Sequence, residues 1–122
     1  MHQIAMANDN YLIVLVSGND STRVDEAAIV SAGLKKMNAK NVTLLFIGSS
    51  IETLNKKDPR SMIMSKKIEE LKGAGVKILA CPVAMGYYNV KEEELIYFDG
   101  DKTPNGKVIA DSNKNGDEIL TF

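Results

Sequence analysis

Three short apolar runs recur along the chain, and they constrain its fold more than any other feature of the sequence. They are Asn10–Val16 (NYLIVLV), Asn41–Gly48 (NVTLLFIG) and Val76–Ala80 (VKILA). Each lacks the polar alternation of a half-exposed strand, so each predicts a strand buried on both faces. Between the first two runs, apolar residues from Val24 to Met37 recur at helical spacing. Strands that alternate with helices need crossover connections, which predict an α/β fold with a mostly parallel sheet and helices on both faces.

Further elements continue this alternation towards the C-terminus. The Asp-Pro pair at residues 58–59 suits the start of a helix, which we expect to continue to Lys72. A fourth strand is predicted near Ile96 in the segment IYF, and a last strand at residues 117–122 in DEILTF. Thr22 is expected to cap the helix that follows the first strand.

The length of the chain is that of one domain, because 122 residues fall within the usual size range. We expect residues 1–9 to form a flexible N-terminal arm and residues 10–122 to form a single α/β domain. No repeat or low-complexity linker divides the second segment.

Charge and cysteine content limit the classes of partner. Fifteen basic and sixteen acidic residues are mixed along the chain, which argues against nucleic acid. No apolar run approaches the ~20 residues that span a bilayer, which argues against a membrane.

The start, MHQIAMANDN, lacks the pattern of a signal peptide, and a single cysteine forms no internal disulfide, so we expect a cytoplasmic protein. One cysteine and one histidine do not make a zinc site in a monomer, and we expect neither a metal nor a cofactor.

Cys81 directly follows the third predicted strand and precedes Pro82. Open α/β sheets bind ligands beyond the carboxyl ends of their strands. Pro82 at the first helical position would make Cys81 an N-cap, where unpaired N–H groups favour the thiolate. Cys81 is therefore a candidate nucleophile, and an inert packed thiol is the alternative, because free cysteines are among the most buried residues. The one imidazole belongs to His2 in the predicted arm, so no conventional cysteine–histidine pair is evident.

Two polar loops follow the first two predicted strands and share the sheet edge with Cys81. The loop Ser17–Arg23 opens a helix, so its backbone could hold an anion, although it lacks the spacing of a phosphate-binding or dinucleotide motif. The candidate anion-binding residues are Gly18, Asn19, Ser21, Gly48, Ser49 and Val83, the last through a backbone N–H after Cys81. An ordinary turn with a helix cap is the alternative interpretation.

Apolar residues in the predicted helix after Asp58 cover more than one narrow stripe. They are Met62, Ile63, Met64, Ile68 and Leu71. Core packing explains most of them, and a wide apolar surface on a small domain also indicates contact with another subunit. We therefore expect a homo-oligomer.

Taken together, these elements resemble the DsrE/DsrF-like family from about Asn10 to Phe122. The most specific feature is the cysteine that ends the segment GVKILAC, and the closing DEILTF supports it. The resemblance implies a three-layer α/β/α, flavodoxin-like fold with a mostly parallel five-stranded sheet. It also implies a homo-oligomer, often a trimer or hexamer, and a role in intracellular sulfur trafficking. In active members the cysteine at this position, here Cys81, accepts sulfane sulfur as a persulfide; the arginine that commonly follows it is absent from this chain.

Three hypotheses follow for the function. The first is a cytoplasmic sulfur carrier in which Cys81 takes up sulfane sulfur from a donor and passes it to a partner protein. The second is a non-catalytic module that binds a small anion or nucleotide, with Cys81 in a structural role. The third is a purely structural subunit of a larger assembly.

Overall fold

The structure is a computed structural model, and it describes residues 9–122. The predicted arm therefore lies outside the described residues, apart from Asp9, and so does His2. The elements follow in the order β1 (Asn10–Leu15), α1 (Ser21–Lys36), β2 (Asn41–Phe46), a first 3-10 helix (Gly48–Leu54), α2 (Ser61–Gly73), β3 (Lys77–Ala80), α3 (Pro82–Tyr87), a second 3-10 helix (Glu92–Glu94), α4 (Asn105–Lys114) and β4 (Glu118–Thr121). The three apolar runs and the C-terminal segment are strands, as the sequence predicts.

The four described strands form one parallel sheet in the order β3-β2-β1-β4. The register aligns Leu15 of β1 with Phe46 of β2, and Phe46 with Ala80 of β3. These three strands therefore end at one edge of the sheet. The order differs from that of flavodoxin, in which β1 lies between β2 and β3.

Both faces of the sheet are buried, which explains the continuous apolar runs. On one face, Ile13 and Leu15 of β1 belong to the larger core cluster, together with buried residues of α1, α2 and α3. On the other face, Leu12 and Val14 belong to a smaller cluster with Val108 of α4. Alternate residues of one strand thus enter different clusters, as the two-residue period of a strand requires.

The predicted strand near Ile96 is not a strand, so the described sheet has four strands rather than five. The backbone of this segment bonds elsewhere: Ile96 N–H donates to the Leu54 carbonyl at 2.8 Å, and Leu95 forms an isolated antiparallel bridge with Asn55. Lys72 of α2 holds its ammonium 4.2 Å from the centre of the Tyr97 ring. The segment therefore packs against the end of the first 3-10 helix and against α2, and it does not form a strand next to β3.

Helix α2 begins at Ser61, two residues after the predicted start. Asp58 first forms a turn, because its side chain accepts from the Arg60 N–H and its carbonyl accepts from the Ser61 N–H. Within α2, Met64, Ile68 and Leu71 are buried in the core, whereas Met62 and Ile63 are exposed.

Gly48 has a structural reason to be glycine. Its φ is +54°, and a Cβ atom there would lie 2.4 Å from the Val16 carbonyl oxygen. Gly48→Ala should therefore lower the free energy of unfolding, because the left-handed conformation alone costs about 1–2 kcal/mol and the overlap adds to it. Urea denaturation measures the change. Gly33→Ala, where no atom lies within 4 Å of the new Cβ, is the matched control and should be neutral or stabilising. Equal stability of the Gly48 variant and the wild type would contradict this account.

Candidate functional site at the carboxyl edge of the sheet

Cys81 lies where the sequence predicts, at the carboxyl end of β3 and in the N-cap position of α3. Its backbone is extended, with φ −70° and ψ 120°, and Pro82 opens the helix. The Cys81 N–H donates to the Phe46 carbonyl at 3.0 Å, and its carbonyl accepts from the Met85 N–H at 3.0 Å. The thiol is thus anchored through its backbone to both β2 and α3.

The Cys81 side chain is not accessible in this structure. Only 1% of the residue is exposed, and it belongs to the larger core cluster. Its sulfur makes no capping hydrogen bond to α3. In the conformation described, Cys81 is therefore a packed thiol, and α3 also turns Ala84 and Met85 into the same core.

The segment that follows the thiol is short and partly exposed. Helix α3 has six residues, and it packs against the first 3-10 helix. Val83 is 60% exposed and Tyr87 is 83% exposed, so the helix is buried through one side only. Gly86 lies within it, and no atom is within 4 Å of the position that a Cβ would take.

The two polar loops meet, as parallel strands with a shared carboxyl edge predict. Gly18 N–H donates to the Ser49 hydroxyl at 3.3 Å, and this hydroxyl donates to the Ser17 hydroxyl at 3.2 Å. The Asn19 N–H donates back to the Ser17 hydroxyl at 3.1 Å. Gly18, Asn19 and Ser49 thus belong to one network, next to the backbone turn that Gly48 provides.

Backbone N–H groups at the start of α1 already donate to a side chain of the protein. The N-cap is Asp20 rather than the predicted Thr22, and its carboxylate accepts from the N–H groups of Thr22 and Arg23. Ser21 is the first residue of the helix. A carboxylate of the chain therefore already occupies the position at which an external anion would bind this helix.

Arg60 is the principal residue of this edge that the sequence analysis missed. Its Nη1 donates to the Gly18 carbonyl at 2.9 Å and to the Asn19 side-chain oxygen at 3.1 Å. Its Nε and Nη2 donate to the two carboxylate oxygens of Asp58 at 2.9 and 2.8 Å. These side-chain hydrogen bonds lower the pKa of the Asp58 carboxyl and raise the pKa of the Arg60 guanidinium.

A small cavity of about 110 Å³ lies beside this network. Gly18, Ser21 and Arg60 contribute to its lining, and so does Lys67. Both cations are already paired, Arg60 with Asp58 at 2.8 Å and Lys67 with Asp25 at 2.6 Å. The cavity is therefore close to neutral, and Cys81 does not line it.

Within residues 9–122, no group of three or more His, Cys, Asp or Glu side chains is arranged to hold a metal ion. In the same part of the chain, no helix combines the length and the apolar character needed to cross a bilayer.

The fold and the site define an α/β protein with a parallel sheet and one thiol at its carboxyl edge. The sequence profile of the DsrE/DsrF-like family matches residues 9–122, so the chain belongs to this family. No curated protein matches the sequence significantly.

Several solved structures share the fold, among them the following three. A conserved protein of unknown function from Bacteroides thetaiotaomicron is 20% identical, with a TM-score of 0.74 over 98% of this chain and 100% of that one. The ychN protein from E. coli is 16% identical, with a TM-score of 0.71 over 93% and 98%. A protein of unknown function from Methanobacterium thermoautotrophicum is 14% identical, with a TM-score of 0.67 over 93% and 99%. At these identities the likeness establishes the fold alone.

Proposed function

We propose that the protein is a cytoplasmic sulfur carrier of the sulfur-relay type, with Cys81 as the residue that bears the sulfur. The observation that carries the proposal is the position of this thiol, at the carboxyl end of β3 in a chain of the DsrE/DsrF-like family. Ligands of open α/β sheets bind at this edge. The proposal includes a three-layer arrangement that is flavodoxin-like in its layers but not in its strand order, and α1 and α2 on one face and α4 on the other support it.

The transfer is a pair of thiol exchange steps at sulfur. The Cys81 thiolate attacks the outer sulfur of a persulfide donor, so that a new S–S bond forms on Cys81 as the donor's S–S bond breaks and the donor leaves as a thiolate. An acceptor thiolate on a partner protein then takes the same sulfur and returns Cys81 to the thiolate. No net oxidation occurs, because each S–S bond that forms replaces one that breaks, and the exchange requires a thiolate rather than a histidine partner.

Burial of the thiol requires that part of the structure open before either step, and we propose that this part is α3, which follows Cys81 directly. A helix of six residues has little stability of its own, and it depends on its tertiary contacts. In α3 these contacts come mainly from Ala84 and Met85, while Val83 and Tyr87 face solvent. We propose that residues 82–90 open locally to admit the donor and then close, which shields the thiol from oxidation between transfers.

The described contacts give less support to a small-anion or nucleotide module. The N–H groups of Gly18, Asn19 and Thr22 already donate to side chains of the protein. The nearest guanidinium, that of Arg60, is paired with Asp58.

Mass spectrometry tests whether Cys81 carries sulfur. After treatment of the folded protein with polysulfide or thiosulfate, the wild type should gain about 32 Da, the mass of one sulfur atom. The adduct should be lost on treatment with a reducing thiol, because an acceptor thiolate takes the sulfur from Cys81. Cys81→Ala and Cys81→Ser should gain nothing, and their thermal unfolding verifies that they are folded. A wild type that stays unmodified with both donors would remove the sulfur-carrier function.

Gly86→Ala tests whether α3 controls access to the thiol. Alanine should stabilise the closed helix by about 0.4–1 kcal/mol, because it reduces the freedom of the open segment and meets no atom within 4 Å. If the segment recloses faster than iodoacetamide reacts, alkylation of Cys81 should slow about two- to fivefold. Gly33→Ala in α1 is the matched control and should leave this rate unchanged. Equal alkylation rates for the Gly86 variant and the wild type would exclude α3 as the cover.

A further inference from the structure

Directly after residues 82–90, the segment proposed to open, the chain is bonded to the residues around the end of the first 3-10 helix. The Lys56 N–H donates to the Glu94 carbonyl at 2.7 Å, and the Ile96 N–H donates to the Leu54 carbonyl at 2.8 Å. Helix α3 itself packs against the first 3-10 helix. The opening segment and its continuation therefore contact the same neighbouring element.

The Glu94 side chain fixes the point at which the opening segment ends. Its Oε1 accepts from the N–H of Lys91, the residue directly after Val90, at 3.0 Å. Its Oε2 lies 2.8 Å from the Lys57 ammonium, and only 16% of the Glu94 side chain is exposed. A glutamate that reaches back to the N–H of the residue capping its own turn stabilises the start of that turn. One carboxylate thus joins the end of the opening segment to the neighbouring loop.

The other two carboxylates of the second 3-10 helix do not share this role. Glu92 pairs with Lys102 at 3.1 Å. Glu93 accepts from the Lys56 ammonium at 3.3 Å through its backbone carbonyl, and within residues 9–122 no hydrogen bond or ion pair involves its carboxylate. Glu94 is therefore the acidic side chain of this turn that can be removed with a specific effect on the attachment.

We propose that Glu94 is a positioning residue for sulfur transfer, because its carboxylate holds the hinge at the end of residues 82–90 and so sets how often Cys81 becomes accessible. The inference rests on the proposed function, in which these residues open locally and then close. A firmly held Lys91 limits the length of chain that is free to move. Without the carboxylate the free segment lengthens, and the population of the open state rises.

Alkylation of Cys81 tests the hinge. Glu94→Ala removes both side-chain contacts, so Cys81 should react with iodoacetamide about two- to tenfold faster. Lys57→Met removes the ion pair and keeps the Lys91 bond. Its effect should be smaller, because Lys57 is itself 79% exposed. Glu93→Ala, one residue away, is the matched control and should react at the wild-type rate.

Hydrogen exchange separates a hinge effect from a general loss of stability. In Glu94→Ala the amides of residues 82–96 should exchange faster, whereas those of β1 and β2 should keep their wild-type protection, since local opening leaves the sheet unaltered. Three results would overturn the proposal: equal loss of protection throughout the chain, a wild-type alkylation rate in Glu94→Ala, or an equal acceleration in Glu93→Ala.

A pH profile separates the charge of Glu94 from the packing of its side chain. Hydrogen bonds from the Lys57 ammonium and from the Lys91 N–H hold the pKa of the Glu94 carboxyl below its ordinary value. Below this pKa the wild-type side chain is neutral, like the amide in Glu94→Gln. With a dipyridyl disulfide, which also reacts with thiols in acid, the ratio of the Glu94→Gln rate to the wild-type rate should exceed one at neutral pH, because the charged acceptor is the stronger one. The ratio should fall to one as the pH drops through that pKa, and a ratio independent of pH would overturn the role of the charge.

Sulfur uptake shows which of the two proposals fails. In Glu94→Ala the uptake should accelerate by the same factor as alkylation, because both reactions require the same opening. A wild type that takes up sulfur, with Glu94→Ala no faster in either reaction, would remove the hinge and leave the carrier function. A wild type that takes up no sulfur would remove the carrier function itself.

Discussion

The parallel register of β1, β2 and β3 is the constraint on which the rest of the structure depends. It ends the three strands at Leu15, Phe46 and Ala80, so the groups that follow them share one edge of the sheet. The same register lets the Phe46 carbonyl hold the Cys81 backbone at the third strand end. A shift of one residue would move every side chain of a strand to the other face, and both faces are buried, so the register is strongly specified.

Two different environments result at this edge. Above β1 and β2 the loops are polar and internally bonded, with Arg60 joining Gly18, Asn19 and Asp58. Above β3 the thiol is enclosed by apolar packing. Segments that open locally come from the less stable parts of a fold, and α3, with six residues and one exposed side, has the features of such a segment. The proposed carrier function thus places the change of conformation in α3 and leaves the sheet unaltered.

The sequence predicted the features that depend on local pattern. The buried strands, the parallel sheet, the position of Cys81 before Pro82 and the meeting of the Gly18 and Ser49 loops all follow from periodicity and from shared strand ends. The burial of Cys81 was one of two alternatives, and the sequence could not decide between them because burial depends on how α3 packs in three dimensions. The prediction of a strand near Ile96 was wrong for a similar reason, since tertiary packing brings the Ile96 backbone to Leu54 rather than to β3.

The contacts of Arg60 at the polar edge could not be predicted either, because its partners Gly18 and Asn19 lie far away in the sequence. The sequence does contain one indication of the ion pair between Asp58 and Arg60. The two residues are two positions apart, and side chains at that spacing can pair within a turn. The capping role of Asp20 was also readable, because aspartate is a preferred N-cap residue.

The most direct measurement of the central claim is the alkylation rate of Cys81 at urea concentrations below the unfolding transition. Local opening of α3 exposes little surface, so the account predicts a rate that hardly changes with urea in this range. If Cys81 instead reacts only after global unfolding, the free energy of the opening that exposes it should fall by about 1–3 kcal/mol per molar urea, as for a small protein. That steep dependence at every urea concentration would show that the thiol is sealed in the folded protein, and it would contradict the carrier function.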